Sequence, residues 1–300
     1  MRAARPLLAL GTALLLAACV GSDPSDPELL FVSTRDGDYA IYASSATGGG
    51  ERRLTDADVD ASTPEGLFFQ DEPAWSPDGS TIAFSSKRAG TFDLYVMNAD
   101  GSGTTRLTST KDDDNQPTWS PDGTRIAFAR GIPSKLFVMA ADGLGARQVT
   151  DDESGEHEPA WSPDGSWIAY SRRTPGSSIR EIWLVRPDGS QRHQLTKLGG
   201  IAQAPAWSPA GQRIVFSATA EDNRYDLYTV GVDGKNVRLL TSRDDSFEPA
   251  WSPDGRTIAF TEGGAIHAID VENGDEETLT DPENNDSNAA WRPRTEGEDG

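Results

Sequence analysis

The chain is short of cysteine, histidine and bases: one Cys, three His, and 27 Lys and Arg against 48 Asp and Glu, for a formal net charge of −21 over 300 residues. A lone cysteine, Cys19, excludes an internal disulfide. The three histidines, His157, His193 and His267, lie scattered along the chain and are poor material for acid–base catalysis. The shortage of bases excludes nucleic acid as a partner, because phosphates demand a basic footprint, and it disfavours anionic lipid headgroups. The acidic surplus instead favours solubility and contact with cations or a basic protein. Long apolar runs are also missing: the one from Leu7 to Ala18 has 12 residues, short of the roughly 20 that cross a bilayer as a helix. Enzyme signatures are scarce too. His157-Glu158-Pro159-Ala160-Trp161 has no second histidine for a zinc-protease helix, and its proline would break that helix. There is no Gly-x-Ser-x-Gly elbow. Gly48-Gly49-Gly50 and Gly101-Ser102-Gly103 read as hairpin turns, since no helix signal follows either.

The N-terminus reads as an export signal over residues 1–18: basic Arg2 and Arg5, the apolar run, then small residues. Its end, Leu16-Ala17-Ala18-Cys19, resembles a bacterial lipobox, in which the cysteine becomes the lipidated first residue of the mature chain. Residues 19–28 follow as a polar, Pro-containing tether suited to holding a folded body off a membrane. An ordinary signal peptide with a spare thiol is the alternative. Val20 stands where inner-membrane retention would resemble an Asp, which favours the outer membrane or the cell surface. No oligomeric state can be read.

What the chain does have is a repeat. Pro73-Ala74-Trp75-Ser76-Pro77-Asp78-Gly79 recurs at Trp119, Trp161, Trp207 and Trp251, with a degraded copy at Trp291, at spacings of 44, 42, 46, 44 and 40 residues. Periods near 40–45 with four strand signals each indicate propeller blades. Each unit predicts a first strand ending in Ala-Trp, a Ser-Pro-Asp-Gly turn, and a second strand such as Thr81-Ile82-Ala83-Phe84 with its large side chains on one face. A third strand such as Leu94-Tyr95-Val96-Met97 is closed by an Asp-Gly turn, and a fourth ends in Leu-Thr, as at Leu107-Thr108. The last Trp strand has nothing after it, and the first Leu30-Phe31-Val32-Ser33 strand has no Trp strand before it. The C-terminal strand is therefore expected to join three N-terminal strands near 29–35, 39–44 and 51–55, completing one blade and leaving no open edge. The reading is an all-β, six-bladed propeller of four-stranded antiparallel blades over residues 29–294, followed by an acidic tail at 295–300.

These motifs resemble the TolB-like propeller repeat, also present in the propeller domains of prolyl-oligopeptidase-type peptidases. The likeness spans nearly all of 29–294. The chain departs from TolB in having no α/β domain ahead of the propeller, so the resemblance implies a Tol-type envelope role only weakly. No hydrolase-sized segment follows the propeller either.

Candidate binding residues fall at two places. The residues three before each Trp are Glu72, Gln116, Glu158, Ala204, Glu248 and Asn288. Symmetry places them around the channel mouth, where their oxygens either hold a hard cation or simply line a water-filled channel. His157 adjoins them. The interval from each blade-ending Thr to the next Trp is 10 or 11 residues except between Thr55 and Trp75, where it is 20. That insert carries Asp56, Asp58 and Asp60, then Phe68 and Phe69. Calcium binding and a plain acidic loop both remain open, but an EF-hand is excluded, because Gly is missing at the sixth position and Leu67 occupies the twelfth. Loops joining second to third strands and blade to blade vary in sequence, as at 87–91, 172–178 and 219–224, and variable loops on a repeated scaffold carry specificity. The expected function is a non-catalytic, lipid-anchored propeller that binds an envelope protein or small ligand on that face, without a cofactor unless calcium or another divalent cation is held. The alternatives are a carbohydrate-active lyase or hydrolase with a channel metal, and an accessory subunit of a separate peptidase.

Overall fold

Each Ser-Pro-Asp-Gly turn is held by its own side chains. Gly79 N donates to Ser76 O at 2.8 Å, Ser76 Oγ donates to Asp78 Oδ1 at 2.6 Å, and Ser76 Oγ accepts Thr81 N at 2.9 Å. The Ser76 hydroxyl, with the Ser80 N–H and hydroxyl that also donate to Asp78 Oδ1, holds the Asp78 carboxyl below the usual carboxylate range. Gly79, Gly123, Gly165, Gly211 and Gly255 all have φ between 65° and 70°, the left-handed region that glycine enters without a Cβ penalty.

These turns punctuate six four-stranded antiparallel sheets in a computed structural model that describes residues 28–55, 70–219, 224–242 and 245–294. Blade two runs outward from the axis as Gln70–Trp75, Thr81–Ser86, Asp93–Asn98 and Thr105–Arg106. Blades three to six repeat this plan from inner strands Asp114–Trp119, Glu156–Trp161, Ala202–Trp207 and Phe247–Trp251. Blade one takes its inner strand, Ser287–Trp291, from the C-terminus and the rest, Leu29–Ser33, Ala40–Ser44 and Arg52–Arg53, from the N-terminus. Leu29 pairs with Trp291 and Leu30 with Ala290, so the ring is closed by its two ends as the strand count predicts. An ion pair between Arg35 and the fully buried Asp286 side chain, at 3.0 Å, crosses the same seam.

The core is six clusters, each straddling two adjacent blades. Ile82 and Phe84 pack on Leu30, Ile41 and Leu54 of blade one, while Ala83 and Leu94 face Ile126 and Phe128 of blade three. This two-sided burial follows from alternation along the strand, and each fully buried Ile or Phe contributes roughly 1.5–3 kcal/mol.

The outer strands are shorter than the sequence reading gives them. In blade two the strand stops at Arg106, and Leu107-Thr108 lies beyond it. There Thr108 Oγ1 accepts the Leu94 N–H at 2.9 Å, so a hydroxyl replaces a backbone carbonyl as the strand twists away. The same bond recurs at Thr55, Thr150, Thr196, Thr241 and Thr280, at 2.9 to 3.0 Å. The Asp-Gly turns then lock neighbouring blades together. A methyl built on Gly143 would stand 2.7 Å from Leu107 O, and one on Gly189 would stand 2.7 Å from Val149 O. Blades therefore meet with no room for a side chain at these turns.

Candidate binding site at the channel mouth

Every inner strand carries a bulge three residues before its tryptophan. Pairing slips between Asp71 and Ala74, Asn115 and Thr118, His157 and Ala160, Gln203 and Ala206, and Phe247 and Ala250. Glu72, Gln116, Glu158, Ala204, Glu248 and Asn288 sit there with φ of 50° to 60°, so each expected ring residue is a non-glycine residue in the left-handed region. Such a conformation costs on the order of 1 kcal/mol per residue and persists only where its surroundings impose it. In five blades the next residue is Pro, which has no N–H to leave unsatisfied at the bulge.

At three of these bulges the ring residue's N–H reaches the ring side chain of the preceding blade. Gln116 Oε1 accepts Glu158 N at 2.8 Å, Glu158 Oε2 accepts Ala204 N at 2.8 Å, and Glu248 Oε2 accepts Asn288 N at 2.9 Å. A hydroxyl from the second strand adds to each carboxylate: Ser171 Oγ donates to Glu158 at 2.8 Å, and Thr261 Oγ1 donates to Glu248 at 3.0 Å. The ring therefore functions as a circumferential clamp. It also lines a cavity of about 210 Å³ on the axis, to which all six blades contribute a ring residue and the residue after it. Burial pushes the Glu248 carboxyl up, against the two hydrogen bonds it accepts and with the Glu158 charge adding to the rise.

The clamp has a break. Ala204 has no acceptor to offer the Glu248 N–H, and Ser217 Oγ, in the register position of Ser171 and Thr261, is buried without a hydrogen-bond partner. By the repeat, these two donors stand where Ser171 Oγ and Ala204 N meet a single oxygen of Glu158 one blade earlier.

His157 lies beside the ring but turns to Ser134, whose Oγ is 3.1 Å from its imidazole, and burial lowers its pKa. His193 stands edge-on to Trp167 at 5.1 Å and His267 stacks on Phe260 at 5.6 Å, so the histidines serve three different places. Among the described residues no three His, Cys, Asp or Glu side chains group so as to hold a metal ion, and no helix is long and apolar enough to cross a membrane. Cys19 and the insert residues Asp56, Asp58, Asp60, Phe68 and Phe69 lie outside the described residues.

Sequence reasoning missed a second polar cluster next to the ring. Glu156, fully buried two residues before Glu158, accepts a hydrogen bond from Thr150 Oγ1 and lies 3.8 Å from Arg192 Nη1. Burial pushes its carboxyl up to about 7 despite that bond. Arg172 and Arg192 meet at Asp152, at 2.7 and 2.9 Å. Asp114 and Asp286 occupy the same repeat position and pair with Arg130 and Arg35. Aligning the repeats two residues ahead of the ring would have exposed this set.

The TolB β-propeller domain model matches residues 62–180 and 130–297, more than half of the chain. The chain belongs to the TolB β-propeller family. TolB from Acinetobacter baumannii superposes with a TM-score of 0.76 at 19% identity, over 91% of this chain and 68% of that one. A putative TolB from Agrobacterium tumefaciens gives 0.66 at 21% identity, over 89% of this chain and 99% of the other. At these identities the likeness establishes the fold. An uncharacterised Agrobacterium fabrum protein is 32% identical over 90 residues, which is 30% of this chain and 28% of that protein.

Proposed function

We propose that this TolB-like propeller is a non-catalytic binding scaffold, exported and tethered through Cys19, whose partner approaches on the variable-loop side and contacts the channel mouth. The observation that carries the reading is the contrast between the two ends of the barrel. The Ser-Pro-Asp-Gly end repeats one short turn from blade to blade, with Pro121 beside Gly165 and Pro163 beside Gly211. The other end opens on the polar ring, beside which Ser217 Oγ is buried without a partner, and its loops differ from blade to blade. Family membership supports a scaffold, and the lone cysteine behind a small-residue stretch supports the anchor.

The test is cross-linking in cells followed by purification of the full chain, compared with Cys19→Ser and with deletion of residues 57–67. The scaffold reading expects one partner captured by the parent chain, weaker capture after the deletion, and loss of membrane association in Cys19→Ser. Capture of nothing, or turnover of a substrate by the purified chain, overturns it.

A further inference from the structure

The break at Ala204 has a chemical complement that the other blades already display. Where a side chain fills the position, it presents one oxygen to two kinds of donor: the next blade's N–H and, in blades four and six, a second-strand hydroxyl. At Ala204 the matching donors are Glu248 N–H and Ser217 Oγ–H, and Ser217 is fully buried. A buried donor left unmatched is unfavourable, so an oxygen brought from outside is stabilised by entering.

The charge around the position selects which oxygen. Glu158 and Glu248 flank it in the same ring, and Glu72 lines the same cavity. A fourth carboxylate placed among them would be repelled. A carboxamide is neutral, its oxygen has two lone pairs for the two donors, and its NH2 can donate to a neighbouring carboxylate. Gln116 shows the fit within the ring, where its amide oxygen takes Glu158 N at 2.8 Å. We infer that the channel mouth binds a primary carboxamide, the side chain of an asparagine or glutamine on an inserted segment of the partner, with its oxygen shared by Ser217 Oγ–H and Glu248 N–H. This rests on the scaffold reading and names what the scaffold recognises.

The experiment follows the Glu248 amide resonance of the full mature chain in detergent while Gly-Gln-Gly, Gly-Glu-Gly or Gly-Ala-Gly is titrated in. The inference expects a saturable shift with Gly-Gln-Gly alone. Ala204→Gln, which supplies the oxygen in cis, should abolish that shift. Ser217→Ala, which removes one donor and leaves the core packing in place, should weaken binding about fivefold, the value of one ordinary hydrogen bond. An unmoved Glu248 amide, or equal shifts with Gly-Ala-Gly, means that solvent water alone meets these donors, and the inference falls. Partner capture in cells that persists unchanged in Ala204→Gln also overturns the carboxamide while leaving the scaffold standing. Capture of no partner by any variant removes the scaffold reading itself.

Discussion

Glu158 Oε2 lies 2.8 Å from the backbone nitrogen of Ala204, so the carboxylate of one blade satisfies the bulge of the next. The same oxygen accepts Ser171 Oγ at 2.8 Å. Replacing Glu158 with Ala strands two donors, and the expected loss is about 2–3 kcal/mol of unfolding free energy. Glu158→Gln keeps an acceptor and should lose less than half as much. Urea denaturation of the two variants measures the difference; equal losses would show that the carboxylate charge, not the acceptor, holds the clamp.

Gly143 at φ 85° would place a methyl 2.7 Å from Leu107 O, whereas Gly131 at φ 81° has nothing within 4 Å of the same position. Alanine at 131 bears only the left-handed backbone penalty, about 1 kcal/mol. Alanine at 143 adds a clash with a rigid backbone carbonyl of the preceding blade, for an expected total of about 3 kcal/mol. Thermal unfolding of the two variants side by side isolates the blade contact from the backbone penalty. Similar melting temperatures would mean that the blades can separate there without penalty.

Glu156 makes stability depend on pH. Its carboxyl titrates near 7 in the fold against an ordinary value of 4.5. Between those values the folded chain holds a proton that the unfolded chain has released, so stability falls as pH rises through this window and levels off above it. The full effect is at most about 3 kcal/mol, since each tenfold change in proton affinity corresponds to roughly 1.4 kcal/mol. Glu156→Gln keeps an oxygen for the Thr150 hydroxyl and removes the titration. It should match the parent at about pH 4 and exceed it in stability at about pH 8. A parent whose stability is flat from about pH 5 to pH 7, or a variant that is weaker at every pH, would show that Arg192 and Arg172 keep this carboxylate charged throughout.

Much of this architecture is legible in the sequence because its determinants are local. Pro77, Asp78 and Gly79 specify a turn without reference to anything distant, and Ile82, Ala83 and Phe84 announce two buried faces of different depth. Counting tryptophans also locates every ring residue, since the repeat carries position as well as type. The left-handed φ of Glu72 or Gln116 is not legible, because nothing in those side chains calls for it. It arises from the bulge and from an acceptor one blade away, such as the one Gln116 offers Glu158 across 42 residues of chain. The break at Ala204 looks in sequence like one weak position among six. It stands out only when the fold places Ser217 opposite Gln203, with its hydroxyl buried and unpartnered beside the gap.

Ring closure supplies the last prediction. The strand Ser287–Trp291 covers the hydrogen-bonding edge of Leu29–Ser33, and Arg292 N reaches Glu28 O at 2.8 Å beyond it. Removing residues 287–300 exposes that edge together with the buried Leu29, Phe31 and Tyr42 that pack on blade six. An apolar, unpaired edge strand pairs with whatever strand it meets. The truncated chain should therefore self-associate rather than remain an open monomer of five complete blades and one three-stranded blade. Supplying the removed residues as a separate peptide should return it to the monomeric state by strand addition. Sedimentation of the truncated chain with and without the peptide measures both steps, and a stable truncated monomer would show that the inter-blade clusters hold the ring without this seam.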